Sequence, residues 1–363
     1  MKTSLLKCIC LFGITTMMNA QCWQSVATNS WHTMAIKNDG TVWGWGNNTS
    51  AQLGNSSNIS NQEPAMVWSS NDWSKIYTSP QHSVAIKSDG TLWTCGNNAY
   101  GQIGNGTNNQ AWLPTQIGTD NNWNNITLGA VFCLGIKTDG TLWGWGSNTN
   151  SGCLGNNSTT AFLSPIQIGT ESNWFKIASG SDHTLAIKTD GTLWTWGNNY
   201  AGQLGDGTNT NKLTPVQIGT ANNWTEIYAG WDTSIAKKSD GTVWGWGMNE
   251  YRNLGNGSYI NLNIPTQLTN LTEFSSFAVG NRYTIGLKND GSIWAWGKNG
   301  ESQLGLGFGS IFETTLTQIG TATNWTKIVA GYDHVMAINN LNQLYTWGKN
   351  DQYEMGLTSN LSY

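Results

Sequence analysis

Residues 180–197 read Gly180-Ser-Asp-His-Thr-Leu-Ala-Ile-Lys-Thr-Asp-Gly-Thr-Leu-Trp-Thr-Trp-Gly197. The apolar run Thr184 to Lys188 reads as a strand, Thr189-Asp190-Gly191 as a two-residue hairpin signal, and Leu193 to Trp196 as the returning strand. Upstream, Trp174-x-x-Ile177 opens a shorter strand that ends near Gly180. Downstream, a polar loop containing Gly202-Gln203-Leu204-Gly205 leads to Pro215-Val-Gln-Ile218, where the leading proline suits a sheet edge. This is four short strands without helical periodicity.

The unit occurs seven times, at intervals of 50 or 51 residues. Its hairpin glycines are Gly40, Gly90, Gly140, Gly191, Gly241 and Gly291, and the seventh copy has Asn342 there. Four-stranded repeats of this period specify an all-β, seven-bladed β-propeller. In the second strand a small residue sits between two mostly large positions, as at Ala186. In the third, a small residue such as Thr195 separates the two aromatic positions. Residues i and i+2 share a face, so each blade has a bulky side and a shallow side that interdigitate with its neighbours. Eighteen of the 22 tryptophans fall in repeat slots and read as core; Trp31, Trp68, Trp112 and Trp231 lie outside the pattern. Nothing from Met355 to Tyr363 resembles Pro-x-Gln-Ile. The seventh blade is therefore expected to be incomplete and the weakest, with residues 358–363 as a poor fourth strand or none.

Formal charge is −4, with no basic stripe, which disfavours nucleic acid as a partner. Residues 1–20 read as a signal peptide: Lys2 and Lys7 flank Leu5-Leu6, an apolar run too short to span follows, and Ala20 precedes Gln21. The propeller then occupies residues 21–363. The expected destination is periplasmic, cell-surface or secreted, from a bacterial cytoplasm, with no membrane span and as a monomer. Cys22, Cys95, Cys133 and Cys153 have no CxxC spacing and fill different repeat slots, which reads as space-filling; a single disulfide between adjacent repeats stays open. His32, His82, His183 and His334 share one slot, eight residues before the hairpin position, and are assigned a structural hydrogen bond instead of a metal. The Lys-x-Asp-Gly element reads as turn chemistry with a solvated lysine. Lys237 stands where other copies have Ile or Leu; it is expected to snorkel from an exposed strand end, with a local polar contact as the alternative.

The combination of His-Thr, Asp-Gly, Trp-Gly and Gly-Gln-Leu-Gly, repeated over nearly the whole mature chain, resembles the regulator of chromosome condensation repeat. The resemblance implies a seven-bladed propeller. In that family the founding member is a guanine nucleotide exchange factor that acts partly through an insertion from one blade; the even spacing here leaves no room for one. Light-sensing plant members carry Gly-Trp-Arg-His-Thr motifs. The matching segments here, such as Asn29-Ser30-Trp31-His32-Thr33, lack the arginine. A secreted bacterial propeller that inhibits β-lactamases through aromatic loops is the nearer functional analogue.

Alternating strand direction sends the first–second and third–fourth connections to one face. The variable residues gather there, and loops on a rigid scaffold are where binding is usually placed. The first–second connections offer Trp31, Gln81, Phe132, Asp182, Trp231, Arg282, Tyr283 and Tyr332 as candidate partner-binding residues; the third–fourth loops add Tyr100, Trp112, Tyr200, Tyr251, Arg252, Tyr259 and Phe312. No Ser/His/Asp, Cys/His or paired-carboxylate constellation stands out. The expected function is an exported, non-catalytic scaffold that binds a protein through this face, with no cofactor and no enzyme activity. The alternatives are a guanine nucleotide exchange factor-like regulator of a small GTPase and a glycan-binding propeller.

Overall fold

The computed structural model of the protein describes residues 23–149, 151–307 and 311–358. These form seven antiparallel sheets, six of four strands and one of three, with strands in sequence order from the centre outward. In blade four the strands are Trp174–Ser179, His183–Lys188, Leu193–Gly197 and Lys212–Gln217. Apart from strands there is one short 3-10 turn, Thr269–Leu271. Residues 1–20, read from sequence as a signal peptide, and Cys22 lie outside the described residues.

The hairpins differ from the expected two-residue form. Lys188 N–H donates to Thr192 carbonyl at 3.1 Å and Gly191 N–H to Lys188 carbonyl at 2.9 Å, which makes a three-residue loop ending in a left-handed glycine at φ +78°. Asp190 accepts the amide and hydroxyl of Thr192, fixing the turn. Asn342 holds the same conformation at φ +58°, which asparagine tolerates.

Seven apolar clusters fill the seven junctions between adjacent blades. The junction of blades four and five, for example, joins Leu185, Ile187 and Ile218 to Trp224 and Trp246. The second tryptophan of the Trp-x-Trp pair is fully buried at Trp45, Trp145, Trp196, Trp246 and Trp296. Its indole N–H reaches back to the preceding blade. Trp246 donates to Gln203 carbonyl at 2.9 Å, Trp145 to Gln102 at 3.0 Å and Trp296 to Asn253 at 2.9 Å. The final glycine of Gly-Gln-Leu-Gly lies flat on that indole: a Cβ on Gly205 would come within 2.8 Å of Trp246 Nε1. Each polar loop therefore caps the core of the next blade.

Blade two breaks this rule in a compensated way. Cys95 stands in the tryptophan slot, and Trp68 of blade one, outside the repeat pattern and one residue past the slot that Val67 fills, joins the same apolar cluster. Trp68 is 4% exposed, donates to Leu53 carbonyl at 3.0 Å and packs on Trp73 at 4.7 Å. A lost ring in one blade is replaced by a gained ring in the other. Cys95, Cys133 and Cys153 are buried free thiols, and burial raises their pKa values, that of Cys153 to about 12.

The repeated lysines are not solvated. Lys188 is 4% exposed, with its ammonium 3.8 Å from the Trp194 ring centroid and 4.6 Å from that of Trp174. It is also ion-paired to Glu171 at 2.8 Å. The same cation–π arrangement recurs at Lys37, Lys87, Lys137 and Lys238, so the lysine roofs the first ring of the Trp-x-Trp pair.

Lys237 does not snorkel either. It donates to the carbonyls of Phe274 (2.5 Å) and Ser275 (3.2 Å) in the next blade. Elsewhere that link comes from the lysine two residues after the first-strand aromatic, as when Lys176 donates to Thr225 and Lys327 to Gln24. Blade five has Glu226 at that position, directly across the strand pair from Lys237. The amine has moved one strand over.

Blade seven has three strands among the described residues, Trp325–Ala330, His334–Asn339 and Leu344–Gly348. Thr358 carries no strand, and residues 359–363 lie outside the described residues. The junction with blade one is nonetheless built like the others. Trp45 and Thr33 both donate to Glu354 carbonyl at 2.9 Å, and Asn47 donates to Gln352 at 2.7 Å.

Candidate partner-binding face

The first–second connections surround the central axis and the third–fourth loops stand outside them on the same face. Asn198 N–H, leaving the third strand of blade four, donates to Asp182 carbonyl at 2.8 Å. Each connection contributes three ranks of side chain. The inner rank is Ser30, Pro80, Ala130, Ser181, Trp231, Asn281 and Tyr332; all but Ser30, whose neighbour Asn29 takes its place, line an axial cavity of about 100 Å³. The middle rank is Trp31, Gln81, Val131, Asp182, Asp232, Arg282 and Asp333, and the third is the histidine slot.

The third rank is a belt inside the protein. His183 Nε2 lies 3.0 Å from Ser234 Oγ of the next blade, and His32 Nε2 lies 2.8 Å from Ser83 Oγ. The serine hydroxyl donates its proton to Gln203 carbonyl at 2.8 Å, so the imidazole must donate from Nε2. Burial holds all four imidazoles at a pKa of about 3, hence neutral.

Phe132 and Tyr283, read from sequence as face residues, belong to this belt and are 0% exposed. Tyr283 hydroxyl donates to His334 carbonyl at 2.7 Å. Neither side chain reaches a partner, because the histidine slot opens the second strand and points between blades. The signal that separates them was present: both align with the histidines, not with the residues before them.

The other six candidates do reach the face. Trp31 is 39% exposed, and Gln81, Asp182, Trp231, Arg282 and Tyr332 are half-buried. Trp231 and Tyr332, two blades apart, meet edge-to-face at 4.8 Å beside the axial cavity. Arg282 lies 5.1 Å over the Tyr251 ring and donates to its hydroxyl at 3.4 Å. Sequence reading passed over Asp232 and Asp333. Asp232 accepts the Tyr200 hydroxyl at 2.5 Å and the Gln203 amide at 3.1 Å; burial raises its pKa, assisted by the charge of Asp182. Asp333 pairs with Lys298 at 2.9 Å. From the outer loops, Tyr100 (52%), Tyr200 (55%) and Tyr259 (65%) are exposed; Trp112 (45%) and Phe312 (42%), read from sequence as loop residues, are exposed too but lie in the fourth strands Ala111–Gln116 and Phe312–Gln318, where these begin beside the loops.

No curated protein sequence matches the chain significantly. Residues 120–362 match the family model described as RCC1-like domain. Two models for the regulator of chromosome condensation (RCC1) repeat match residues 39–86 and 89–136, and residues 23–52 and 73–102. Among solved structures, human WBSCR16 is similar at 22% identity and a TM-score of 0.77, over 88% of this chain and 86% of that one. The structure of Kap60 bound to yeast RCC1 (Prp20) is similar at 18% identity and a TM-score of 0.79, over 92% and 83%. Saccharomyces cerevisiae Prp20p, described with its binding to Gsp1p and histones, is similar at 21% identity and a TM-score of 0.75, over 91% and 84%. At these identities the likeness is one of fold.

Proposed function

Because the chain belongs to the regulator of chromosome condensation (RCC1) repeat family, we propose that it is a non-catalytic scaffold that binds a protein through the face carrying the first–second and third–fourth loops. The observation that carries this reading is the concentration of exposed Trp, Tyr and Phe on that one face, from Trp31 through Tyr100, Trp112, Tyr200 and Tyr259 to Phe312. Aromatic side chains and arginine dominate the energy of protein interfaces. The belts beneath, of imidazole and indole hydrogen bonds, hold the loops rigid and so lower the ordering cost of binding. Trp31, Gln81, Asp182, Trp231, Arg282 and Tyr332 form the inner part of the contact surface. We further propose export, from the composition of residues 1–20.

The test has two parts. The mature amino terminus and compartment are determined first; a full-length cytosolic protein removes the export reading. Affinity capture is then compared between the wild-type chain and Trp31→Ala with Trp231→Ala. A partner retained equally by both places the interface elsewhere. A GTPase-regulator reading draws on the fold likeness to Prp20p, whose structure is described with binding to Gsp1p. Faster GDP release from a small GTPase of the same cell would favour it over a passive scaffold.

A further inference from the structure

The loop face is divided by charge. In blades one to three, its three inner connections (residues 29–31, 79–81 and 129–131) and three outer loops (47–60, 97–110 and 147–161) contain no Asp, Glu, Lys or Arg. The corresponding segments of blades four to seven carry Asp182, Asp206, Asp232, Glu250, Arg252, Arg282, Lys298, Glu301, Asp333, Lys349, Asp351 and Glu354. These connections and loops are therefore uncharged in three adjacent blades and charged in the other four; exposed Glu63, the third residue of the blade-one fourth strand Asn61–Trp68, borders the uncharged sector.

The two halves also differ in how many of their rings are partnered. On the charged side, Tyr200 is hydrogen-bonded to Asp232, Tyr251 to Arg282, and Trp231 packs on Tyr332, while Tyr259 and Phe312 are exposed without such a partner. On the uncharged side, the side chains of Trp31, Tyr100 and Trp112 make no hydrogen bond, ion pair or ring contact with another described residue, though each is 39–52% exposed. Trp112 is fixed by its backbone, whose carbonyl accepts Ser56 N–H of the blade-one loop at 3.0 Å. The surrounding amides are consumed internally. Asn47 Oδ1 accepts Thr49 and Gln52, and the Asn98 side-chain amide donates to Asn105, Thr107 and Asn109 at 2.8–3.2 Å. What this half presents outward is rings together with neutral polar side chains such as Asn58, Asn108 and Asn109.

Resting on the scaffold reading above, we infer that blades one to three form the primary docking sector, through Trp31, Tyr100 and Trp112, for a folded protein whose contact surface is uncharged and apolar. Charge matching supports this occupant. A charged surface placed here would lose its hydration with little opposite charge to meet it, a cost that disfavours acidic and basic partners alike. Rings spread from the inner connection of blade one (Trp31) to the outer strand of blade two (Trp112) argue for a broad protein surface over a single sugar ring, which one aromatic side chain covers. Rigid rings among short polar residues are also the composition of antibody-type binding loops.

The experiment places the photocrosslinker p-benzoylphenylalanine at position 100 or 112 of the full chain, and at position 259 on the charged side, in the producing cells. Adducts to one protein from positions 100 and 112, through an uncharged surface peptide identified by mass spectrometry, are expected. With that protein purified as the probe, Trp31→Ala with Tyr100→Ala should weaken binding at least tenfold while circular dichroism stays unchanged. Glu250→Gln with Glu301→Gln should change it less than twofold, and binding should be nearly the same in 0.05 and 0.5 M NaCl. Adducts from position 259 alone, or affinity that falls steeply with salt, would overturn the sector assignment and leave the scaffold reading standing. No adduct from any of these positions would remove both. Saturable titration by laminarin or a cello-oligosaccharide, abolished by Trp112→Ala, would replace the protein with a glycan.

Discussion

Blade four and blade seven are built from the same repeat, yet one has four strands and the other three among the described residues. Blade four is joined to blade five by Trp246, which donates to the Gln203 carbonyl. Blade seven is joined to blade one by Trp45, which donates to the Glu354 carbonyl in the same way. Both indoles are fully buried. The comparison teaches that neighbouring blades are locked by the Gly-Gln-Leu-Gly loop and the aromatic core, and that the fourth strand contributes mainly to the outer wall.

The sharpest way to break that comparison is to remove the two rings. Trp246→Ala should cost about 3–5 kcal/mol in chemical denaturation, as expected for a fully buried tryptophan. Trp45→Ala should cost nearly the same. A cost under about 1 kcal/mol for Trp45→Ala alone would mean that blade seven frays from blade one.

The second difference is chemical. The loop that caps blade one has Glu354 where Gln52, Gln102, Gln203 and Gln303 stand in other copies. Burial raises the Glu354 pKa to about 8, and its Oε1 has no partner among the described residues. A folded-state pKa above the unfolded value favours folding at low pH, and that advantage disappears as pH rises from about 4.5 to about 8. Glu354→Gln should therefore stabilise the protein by roughly 2–3 kcal/mol at pH 7, with no gain below pH 5. Gln203→Glu should install the same pH dependence in blade four. Thermal denaturation at pH 5 and pH 7.5 checks both.

The histidine belt has the opposite sign. His183 and His334 are held neutral, with pKa values lowered by burial to about 3, so their contribution is complete above pH 6.5 and is lost as pH falls towards 3. His183→Gln should flatten the acid limb of the stability profile, a smaller effect that affects both regions alike. Smallest is Lys237→Ile, expected to cost about 1 kcal/mol or less, near the net value of a hydrogen bond. Adding Glu226→Lys should restore it, since that returns the amine to the strand used in blades two, four and seven.

Most of the fold was legible because hydrophobic period, turn glycines and spacing are local properties. The face was legible for the same reason: strand alternation decides where loops emerge. Two kinds of information were not. Phe132 and Tyr283 were misplaced because a connection of three residues was read as one surface, although its ranks differ in direction by a residue each. The lysines were misread because the tryptophan rings they cover come from two strands of the sheet, a contact that no linear window contains. Trp68 and Cys95 show the same limit across a blade boundary: each departs from the repeat pattern, and only packing shows that the departures cancel.

The caps all point one way. Among the described residues each polar loop accepts the indole N–H, or at Gln52 the Cys95 thiol, of the blade that follows it. The ring is thus a directed cycle, and its two ends are not equivalent to an engineer. Excising blade one would leave the blade-seven loop covering nothing and blade two without its lid. Excising blade seven would strip the lid from blade one and leave the blade-six loop idle. A propeller reopened at another junction, with its old ends joined, keeps every lid in place only if the cut falls after a loop and before the strand it covers.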